Sequence, residues 1–223
     1  MTDRSIHIWG DSVTKGIIFD EARSRYAILR ENCMTLLAER LGRPVENHSR
    51  MGSTAPQALE LMAEEPLPQG CLALFALGGN DCDFDWPAVA AAPEEEHQPK
   101  TEMALFRRSL ERMVAQARAV DAQPVLAVPP PLQAQRFFAW VTRGIDADAV
   151  MAFMGGVDRV YRWQESYAFA VLEAAANLGV PVLNLREAFL CTKHYENMLC
   201  VDGIHPNAAG HQLMLEAAWE YFG

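Results

Sequence analysis

A serine near the start of the chain and an aspartate–histidine pair near its end have the side chains that nucleophilic catalysis requires. Ser12 follows a Gly-Asp pair, and Asp202 precedes His205 by three residues. A serine hydroxyl is a weak nucleophile at neutral pH unless a histidine removes its proton, and an acid must orient that histidine. The short spacing lets Asp202 accept a hydrogen bond from Nδ1 of His205, which leaves Nε2 free to face Ser12. These three residues predict acyl transfer through a covalent intermediate, although Asp202 and His205 also suit an ordinary exposed turn.

Acyl transfer also requires hydrogen-bond donors directed at the developing oxyanion. Asn80 lies in the segment Gly-Gly-Asn-Asp after a predicted strand, and Gly52 could present a bare backbone N–H. We predict that Gly52 and Asn80 supply two of the donors of an oxyanion hole. A capped turn at Asn80 and a glycine at the entry to a helix are alternatives for these residue types.

The elements that must bring these residues together alternate between short apolar runs and longer amphipathic segments, as in a parallel sheet with helical crossovers. Parallel strands have their carboxyl ends at one edge, where open α/β sheets place their active sites. We predict a three-layer α/β/α sandwich with a five-stranded parallel sheet. The predicted strands are Ser5–Trp9, Pro44–His48, Cys71–Leu77, Pro124–Val128 and Pro181–Leu185. The predicted helices are Ser24–Leu41, Pro56–Ala63, Glu102–Val120, Asp158–Leu178 and Asn207–Tyr221.

Domain organisation follows from length and from the connections. A chain of 223 residues, half of them apolar, suits one domain over residues 1–223. Two connections, about residues 82–101 and 129–157, are too long for simple turns, and long connections in compact domains are often functional. We expect both to lie near the active site.

Charge and composition exclude several classes of partner. The formal net charge is −10, from 29 acidic and 19 basic residues, so nucleic acid and anionic membranes would be repelled. The longest strongly apolar run, Cys71–Leu77, is far shorter than the roughly 20 residues of a membrane span. Without an export signal, the expected location is cytoplasmic. Five widely spaced cysteines and histidines without paired spacing predict no disulfide framework, no metal and no cofactor.

The order of these motifs resembles that of the SGNH, or GDSL-type, hydrolase superfamily. The matching blocks are Gly-Asp-Ser at residue 12, the isolated Gly52, Gly-x-Asn-Asp at residue 80 and Asp-x-x-His-Pro at residues 202–206. The resemblance implies a flavodoxin-like SGNH hydrolase fold and a serine esterase or acyl hydrolase. It also implies a triad of Ser12, His205 and Asp202 and an oxyanion hole of Ser12, Gly52 and Asn80. Val13 departs mildly from the usual leucine.

The sequence is compatible with three functions. An acidic chain without an evident basic pocket favours a neutral small ester over coenzyme A thioesters or phospholipids, and we expect short acyl (acetyl) groups on a carbohydrate or other small neutral alcohol. A lysophospholipase or thioesterase of the same superfamily is the first alternative. A flavodoxin-like module without hydrolase activity, binding a flavin phosphate between Gly10 and Gly16, is an alternative of another class. The expected partner is a small-molecule ester, and the sequence does not define an oligomeric state.

Overall fold

A parallel sheet forms the centre of the computed structural model, which describes residues 4–223. The five-stranded sheet has the order β4-β1-β5-β6-β7, with every neighbouring pair parallel and helices on both faces. The three-layer α/β/α architecture predicted from the sequence is confirmed. Residues 1–3, part of the stretch used to argue against an export signal, lie outside the described range. The strands are β1 (Ile6–Gly10), β2 (Ile17–Asp20), β3 (Arg25–Ile28), β4 (Val45–Asn47), β5 (Leu72–Ala76), β6 (Gln123–Val128) and β7 (Val182–Asn184).

Alternation along the central strands divides the core between the two faces of the sheet. On β1, Ile6 and Ile8 pack on one face and Trp9 on the other, and all three are fully buried. Near-continuous apolar strands of this kind are typical of parallel sheets covered on both sides. The sheet is therefore held by two apolar layers, which fix the positions of its carboxyl ends.

Five long or medium helices cover the sheet. Helices α3, α5 and α8 pack on the face that carries Trp9, whereas α2 and α10 pack on the opposite face with the short helix α9. Gly42 and Gly179 end α2 and α8 with positive φ, as the sequence indicated. The helices are α1 (Ser12–Lys15), α2 (Cys33–Leu41), α3 (Ala55–Glu64), α4 (Trp86–Ala91), α5 (Met103–Ala119), α6 (Ala134–Val141), α7 (Ala147–Met154), α8 (Arg159–Leu178), α9 (Leu185–Leu190) and α10 (Ala208–Phe222).

The predicted helix Ser24–Leu41 is wrong in its first part. Strands β2 and β3 form an antiparallel hairpin in this region, with Phe19 opposite Tyr26. The helix begins only at Cys33, because the buried Asn32 caps it and accepts hydrogen bonds from the N–H groups of Met34 and Thr35. The hairpin lies immediately after the helix that begins with Ser12.

The two long connections contain short helices rather than irregular chain alone. Helix α4 lies in the first connection, and α6 and α7 lie in the second. Their apolar side chains form a third cluster, separate from the two sheet faces and including Phe84, Trp86, Phe137 and Val160. Among the described residues, none of the helices combines the length and apolar character required to cross a bilayer.

Candidate active site

Ser12 lies at the carboxyl end of β1, where the chain turns from strand into helix α1. Asp11 caps this helix, with its Oδ1 accepting a hydrogen bond of 2.9 Å from the N–H of Val13. A Cβ on Gly10 would lie 2.1 Å from Oγ1 of Thr14, so the tight turn requires glycine. The turn holds the buried Ser12 in a fixed position at the sheet edge.

Asp202 and His205 lie in one turn before α10, and this turn faces Ser12. Nδ1 of His205 is 2.6 Å from Oδ2 of Asp202, and Nε2 of His205 is 2.9 Å from Oγ of Ser12. The other oxygen of Asp202 accepts hydrogen bonds of 3.1 Å from the N–H groups of Ile204 and His205. The structure therefore brings together the serine and the aspartate–histidine pair that the sequence indicated.

The tightness of this turn depends on Gly203. Its φ is +74°, and a Cβ at this position would lie 2.7 Å from the carbonyl oxygen of Gln133. The N–H of Gln133 donates a 2.8 Å hydrogen bond to the carbonyl of Gly203. The second long connection is thus docked directly on the turn that carries His205.

Asp202 is held in its charged form although it is fully buried. Burial opposes ionisation, but the hydrogen bond and charge of His205 and two backbone N–H groups outweigh it and lower the pKa of Asp202. An ionised carboxylate beside Nδ1 fixes the tautomer of His205 and stabilises its protonated form. This is the electrostatic arrangement that proton removal from Ser12 requires.

Asn80 follows β5 and lies beside the turn of Ser12. Its Nδ2 donates to the backbone carbonyl of Ser53 at 3.2 Å and, more weakly, to Oδ2 of Asp11 at 3.4 Å. Asp81 holds the loop in place, because its carboxylate accepts hydrogen bonds from the N–H groups of Ala55 and Gly78. Asn80 and Ser12 line the same cavity.

Gly52 lies in an exposed turn after β4 with φ of +78° and does not line that cavity. Its neighbour Ser53 connects this turn to Asn80. Among the described residues, nothing accepts a hydrogen bond from the N–H groups of Ser12 or Gly52. The structure therefore places two of the three predicted oxyanion donors at the cavity and the third on the adjacent loop.

Two further carboxylates, unlike Asp202, have raised pKa values. Burial raises the pKa of Asp11 to about 6, against the opposing effects of the Val13 N–H and of His205. Burial likewise raises the pKa of Asp81 to about 6. Both side chains hydrogen-bond to the backbone of their own turns. Their role is to hold the two loops that present Ser12 and Asn80.

An apolar cavity opens beside Ser12 and His205. We call its polar lining side chains Asp11, Ser12, Asn80 and His205, together with Asp202 bonded to His205, the polar floor. We call its large or branched apolar lining side chains the apolar wall, which consists of Trp86, Leu132, Phe137, Val160, Trp163 and Ile204. Most of this wall comes from the two long connections and the start of α8.

Polar anchors hold the apolar wall in place. Nε1 of Trp86 donates a 2.8 Å hydrogen bond to Asp83, which also pairs with Lys100 at 2.7 Å. The buried Gln164 accepts a hydrogen bond from the N–H of Leu132 and donates one to the carbonyl of Pro130. These hydrogen bonds fix the position of the apolar wall.

The hairpin β2–β3 contributes a side chain that the sequence analysis missed. The ring of Tyr26 lies 5.1 Å from the ring of His205. A signal was present, since two short runs with apolar and aromatic residues flank the polar segment 21–24. The helical spacing of residues 24–41 instead favours a helix over the second run.

No set of three or more metal-binding side chains is found among residues 4–223. Of the three polar residues that could have held a flavin phosphate, Ser12, Thr14 and Lys15, the last two bond to Ser49. Nζ of Lys15 donates to the carbonyl of Ser49 at 3.0 Å, and Oγ1 of Thr14 is 2.8 Å from Oγ of Ser49. These contacts join the turn of Ser12 to the loop that carries Gly52.

Solved structures with the same fold include several hydrolases. A lipase/acylhydrolase from Enterococcus faecalis is 20% identical, with a TM-score of 0.68 over 98% of this chain and 94% of that one. A catalytic mutant of Axe2, an acetylxylan esterase from Geobacillus stearothermophilus, is 18% identical, with a TM-score of 0.66 over 99% and 94%. TesA is 22% identical, with a TM-score of 0.61 over 97% of each chain.

Comparison at the sequence level identifies the family. No curated protein matches the chain. The model of the GDSL-like lipase/acylhydrolase family matches residues 8–213, a range that includes Ser12, Asn80, Asp202 and His205. The chain therefore belongs to the GDSL-like lipase/acylhydrolase family.

Proposed function

We propose that the protein is a serine hydrolase that cleaves carboxylic esters through an acyl-enzyme on Ser12. The observation that carries this proposal is the continuous chain of hydrogen bonds from Ser12 through His205 to Asp202. His205 takes the hydroxyl proton of Ser12 as the oxygen attacks the ester carbonyl, and then returns it to the leaving alcohol. Water activated by the same histidine then hydrolyses the acyl-enzyme. No cofactor takes part in this scheme.

The tetrahedral intermediate needs stabilisation of its negative oxygen, for which we propose Ser12, Gly52 and Asn80. The N–H groups of Ser12 and Gly52 have no acceptor among the described residues, which supports this role. The amide of Asn80 has a weak 3.4 Å contact with Asp11 that a substrate oxygen could replace. Its stronger contact, with Ser53, would keep the side chain oriented.

For the substrate we propose a small neutral ester, such as an acetyl group on a carbohydrate or other small alcohol. The net charge of −10 disfavours strongly anionic esters. One structure with the same fold is an acetylxylan esterase, which supports this class. The apolar wall would receive the acyl group, and the alcohol would face the open side of the cavity.

A longer acyl group, as in a lysophospholipase or thioesterase, is the second candidate. Specific support comes from the apolar wall, which has six large or branched apolar side chains where an acetyl group presents a single methyl. Such a surface gains binding energy with each methylene that it covers. The flavin-binding alternative is not supported, because Thr14 and Lys15 already bond to Ser49.

Labelling with a fluorophosphonate tests the proposed nucleophile. The wild type and Ser109→Ala should be labelled, whereas Ser12→Ala should not, because Ser12 has at hydrogen-bond distance a histidine that Asp202 orients. Ser109 is a suitable control since it is also buried but bonds only to the carbonyl of Leu105 in its own helix. Equal labelling of Ser12→Ala and wild type would remove Ser12 from the mechanism.

A series of p-nitrophenyl esters from acetate to octanoate, with acetylated sugars beside it, separates the two substrate classes. The first proposal predicts the highest kcat/KM for acetate and activity on acetylated sugars. A kcat/KM that rises through butyrate to octanoate would replace it with the second candidate. Absence of hydrolysis of every ester, with labelling intact, would contradict ester hydrolysis as the function.

A further inference from the structure

The hairpin β2–β3 places an aromatic cover over the aspartate–histidine pair. Tyr26 on β3 lies with its ring 5.1 Å from that of His205, at an angle of 59° between the planes. Neither the acid–base scheme nor the oxyanion hole uses this residue. Its position nevertheless puts a phenol next to the two side chains that must stay aligned with Ser12.

Surrounding aromatic contacts hold Tyr26 in place. Phe19 on the paired strand meets Tyr26 edge to face at 5.3 Å and meets Trp140 of α6 in the same way at 4.6 Å. Arg143 lies over the Trp140 ring at 3.6 Å. Edge-to-face contacts between aromatic rings stabilise defined orientations. The position of Tyr26 is thus set by both the hairpin and the second long connection.

The hairpin is also joined to the segment that leads to Asp202. The N–H of Phe19 contacts Sγ of Cys200 at 3.5 Å, and the N–H of Leu29 donates to the carbonyl of Gly16 at 2.8 Å. The first contact ties β2 to the turn of Asp202, and the second ties the end of the hairpin to α1. The hairpin therefore contacts both the segment that begins with Ser12 and the segment that leads to Asp202.

The negative charge of Asp202 acts on the hydroxyl of Tyr26. Burial, then the charge of Asp202 and a hydrogen bond with its side chain, raise the pKa of Tyr26, while a hydrogen bond with Trp140 opposes the shift. The phenol is therefore protonated at all pH values at which His205 could act as a base. A protonated phenol can donate to a carboxylate, and such charge-assisted hydrogen bonds are the stronger kind.

We propose that Tyr26 is a positioning residue for the catalytic pair. Its hydroxyl donates to Asp202 and limits the rotation of the carboxylate, and its ring keeps water away from the open face of the His205 imidazole. This inference rests on the proposed function, since it assigns Tyr26 a role through Asp202 and His205. It does not make Tyr26 a residue that touches the substrate.

Other titratable groups also face this pair. Asp11 approaches from the end of β1, His211 from α10 and Cys200 from the preceding segment. Burial lowers the pKa of His211 to about 4 and raises that of Cys200 to about 11, so both are neutral near pH 7. Asp11, with its pKa of about 6, contributes to any pH profile. A comparison between variants removes its contribution because it is common to all of them.

The test is the rate of fluorophosphonate labelling from pH 5 to pH 9 for wild type, Tyr26→Phe and Tyr221→Phe. Tyr221 is a matched control, because it lies near the far end of α10, roughly 20 Å along the helix from the turn of His205. We expect Tyr26→Phe to slow labelling by about 3- to 10-fold, in line with loss of one charge-assisted hydrogen bond. Tyr221→Phe should not change the rate.

The pH profile separates positioning from general destabilisation. Without the hydroxyl, Asp202 presents more negative charge to His205, so the imidazole holds its proton to higher pH. The acidic limb should therefore move to higher pH by about 0.3 units or more, a shift that a merely loosened fold would not produce. Tyr26→Leu, which also removes the ring, should label more slowly than Tyr26→Phe.

Two results would overturn the proposal for Tyr26. One is a Tyr26→Phe enzyme with a rate within twofold of wild type and an unmoved acidic limb. The other is a Tyr221→Phe enzyme that shifts as much as Tyr26→Phe. Failure of the proposed function would look different, since Ser12→Ala would then be labelled as fast as wild type. Tyr26→Phe conserves the ring, so its result decides the matter even if Tyr26→Leu does not fold.

Discussion

The polar floor and the apolar wall of the cavity are built in opposite ways. The floor is made of short motifs at strand ends, and its side chains are fixed by hydrogen bonds between 2.6 and 3.4 Å. The wall is made of helices inserted between strands, and its side chains are fixed mainly by packing. Geometry to within a few tenths of an ångström matters for proton transfer, whereas shape and area matter for binding an acyl group. Changes in the floor should therefore lower kcat, and changes in the wall should alter substrate preference.

The largest effect should come from removing the nucleophile or its base. Ser12→Ala and His205→Ala should each lower kcat by roughly 10⁴- to 10⁶-fold, and the double variant should lose no more than either single one. The reason is that the two groups act only as a unit. Steady-state kinetics on the best ester checks this. Additive losses in kcat would show that Ser12 and His205 act independently, which would contradict their joint role in the polar floor.

Asn80→Ala should have the next largest effect. Loss of one oxyanion donor is expected to lower kcat by about 10²- to 10³-fold with little change in KM. Circular dichroism and the urea midpoint control for the fold, since Asn80 also bonds to the loop of Ser53. An unchanged kcat would remove Asn80 from the oxyanion hole and leave it as a loop contact only.

Asp11→Asn should change the pH dependence of stability more strongly than it changes kcat. The pKa of Asp11 rises from 3.8 to about 6 on folding, so its contribution to stability is complete below pH 3.8 and is lost as pH rises through 6. Asparagine still caps α1 but does not titrate. The free energy of unfolding of the variant, relative to wild type, should therefore increase by about 2–3 kcal/mol between pH 4 and pH 8. Urea unfolding at both pH values measures it, and a constant difference would contradict the raised pKa.

The smallest effect should come from the wall. Trp163 lines the cavity and packs against Phe84 with ring centroids 4.4 Å apart. Trp163→Leu should change the ratio of kcat/KM between butyrate and acetate esters by about 10-fold, while kcat for acetate stays within a few-fold of wild type. Leu190→Ala, on the exposed surface of α9, is the control. An equal loss of kcat for both esters would show that the wall and the floor are not separate in function.

The contrast between the polar floor and the apolar wall also explains which parts of the structure could be predicted from the sequence. Each of the five parallel strands could be predicted to within two residues. Strands β1, β5 and β6 are apolar runs followed by glycine or proline, and β4 and β7 each follow a helix-ending glycine and a proline. The residues of the floor were also identifiable, since Ser12, Asn80, Asp202 and His205 each stand in a short motif at a strand or helix end. Their roles in catalysis remain proposals that the variants above would test.

The wall and the hairpin could not be predicted in the same way. Helices α4, α6 and α7 are only six to eight residues long, and their positions depend on contacts with distant parts of the chain. The contact between the rings of Tyr26 and His205 joins residues far apart in sequence, and periodicity within one segment carries no information about such contacts. The wrong helix start at Ser24 has a local cause, because the apolar spacing of residues 24–41 also suits a helix until Asn32 caps it.

The most direct test of the central claim is to trap the acyl-enzyme. The protein is mixed with a p-nitrophenyl ester that it hydrolyses, quenched in acid within milliseconds to seconds, and measured by intact mass and peptide mapping. We expect one added acyl group on the peptide that contains Ser12, and none in Ser12→Ala. Product release without any acylated protein, or an acyl group on a different residue, would contradict it.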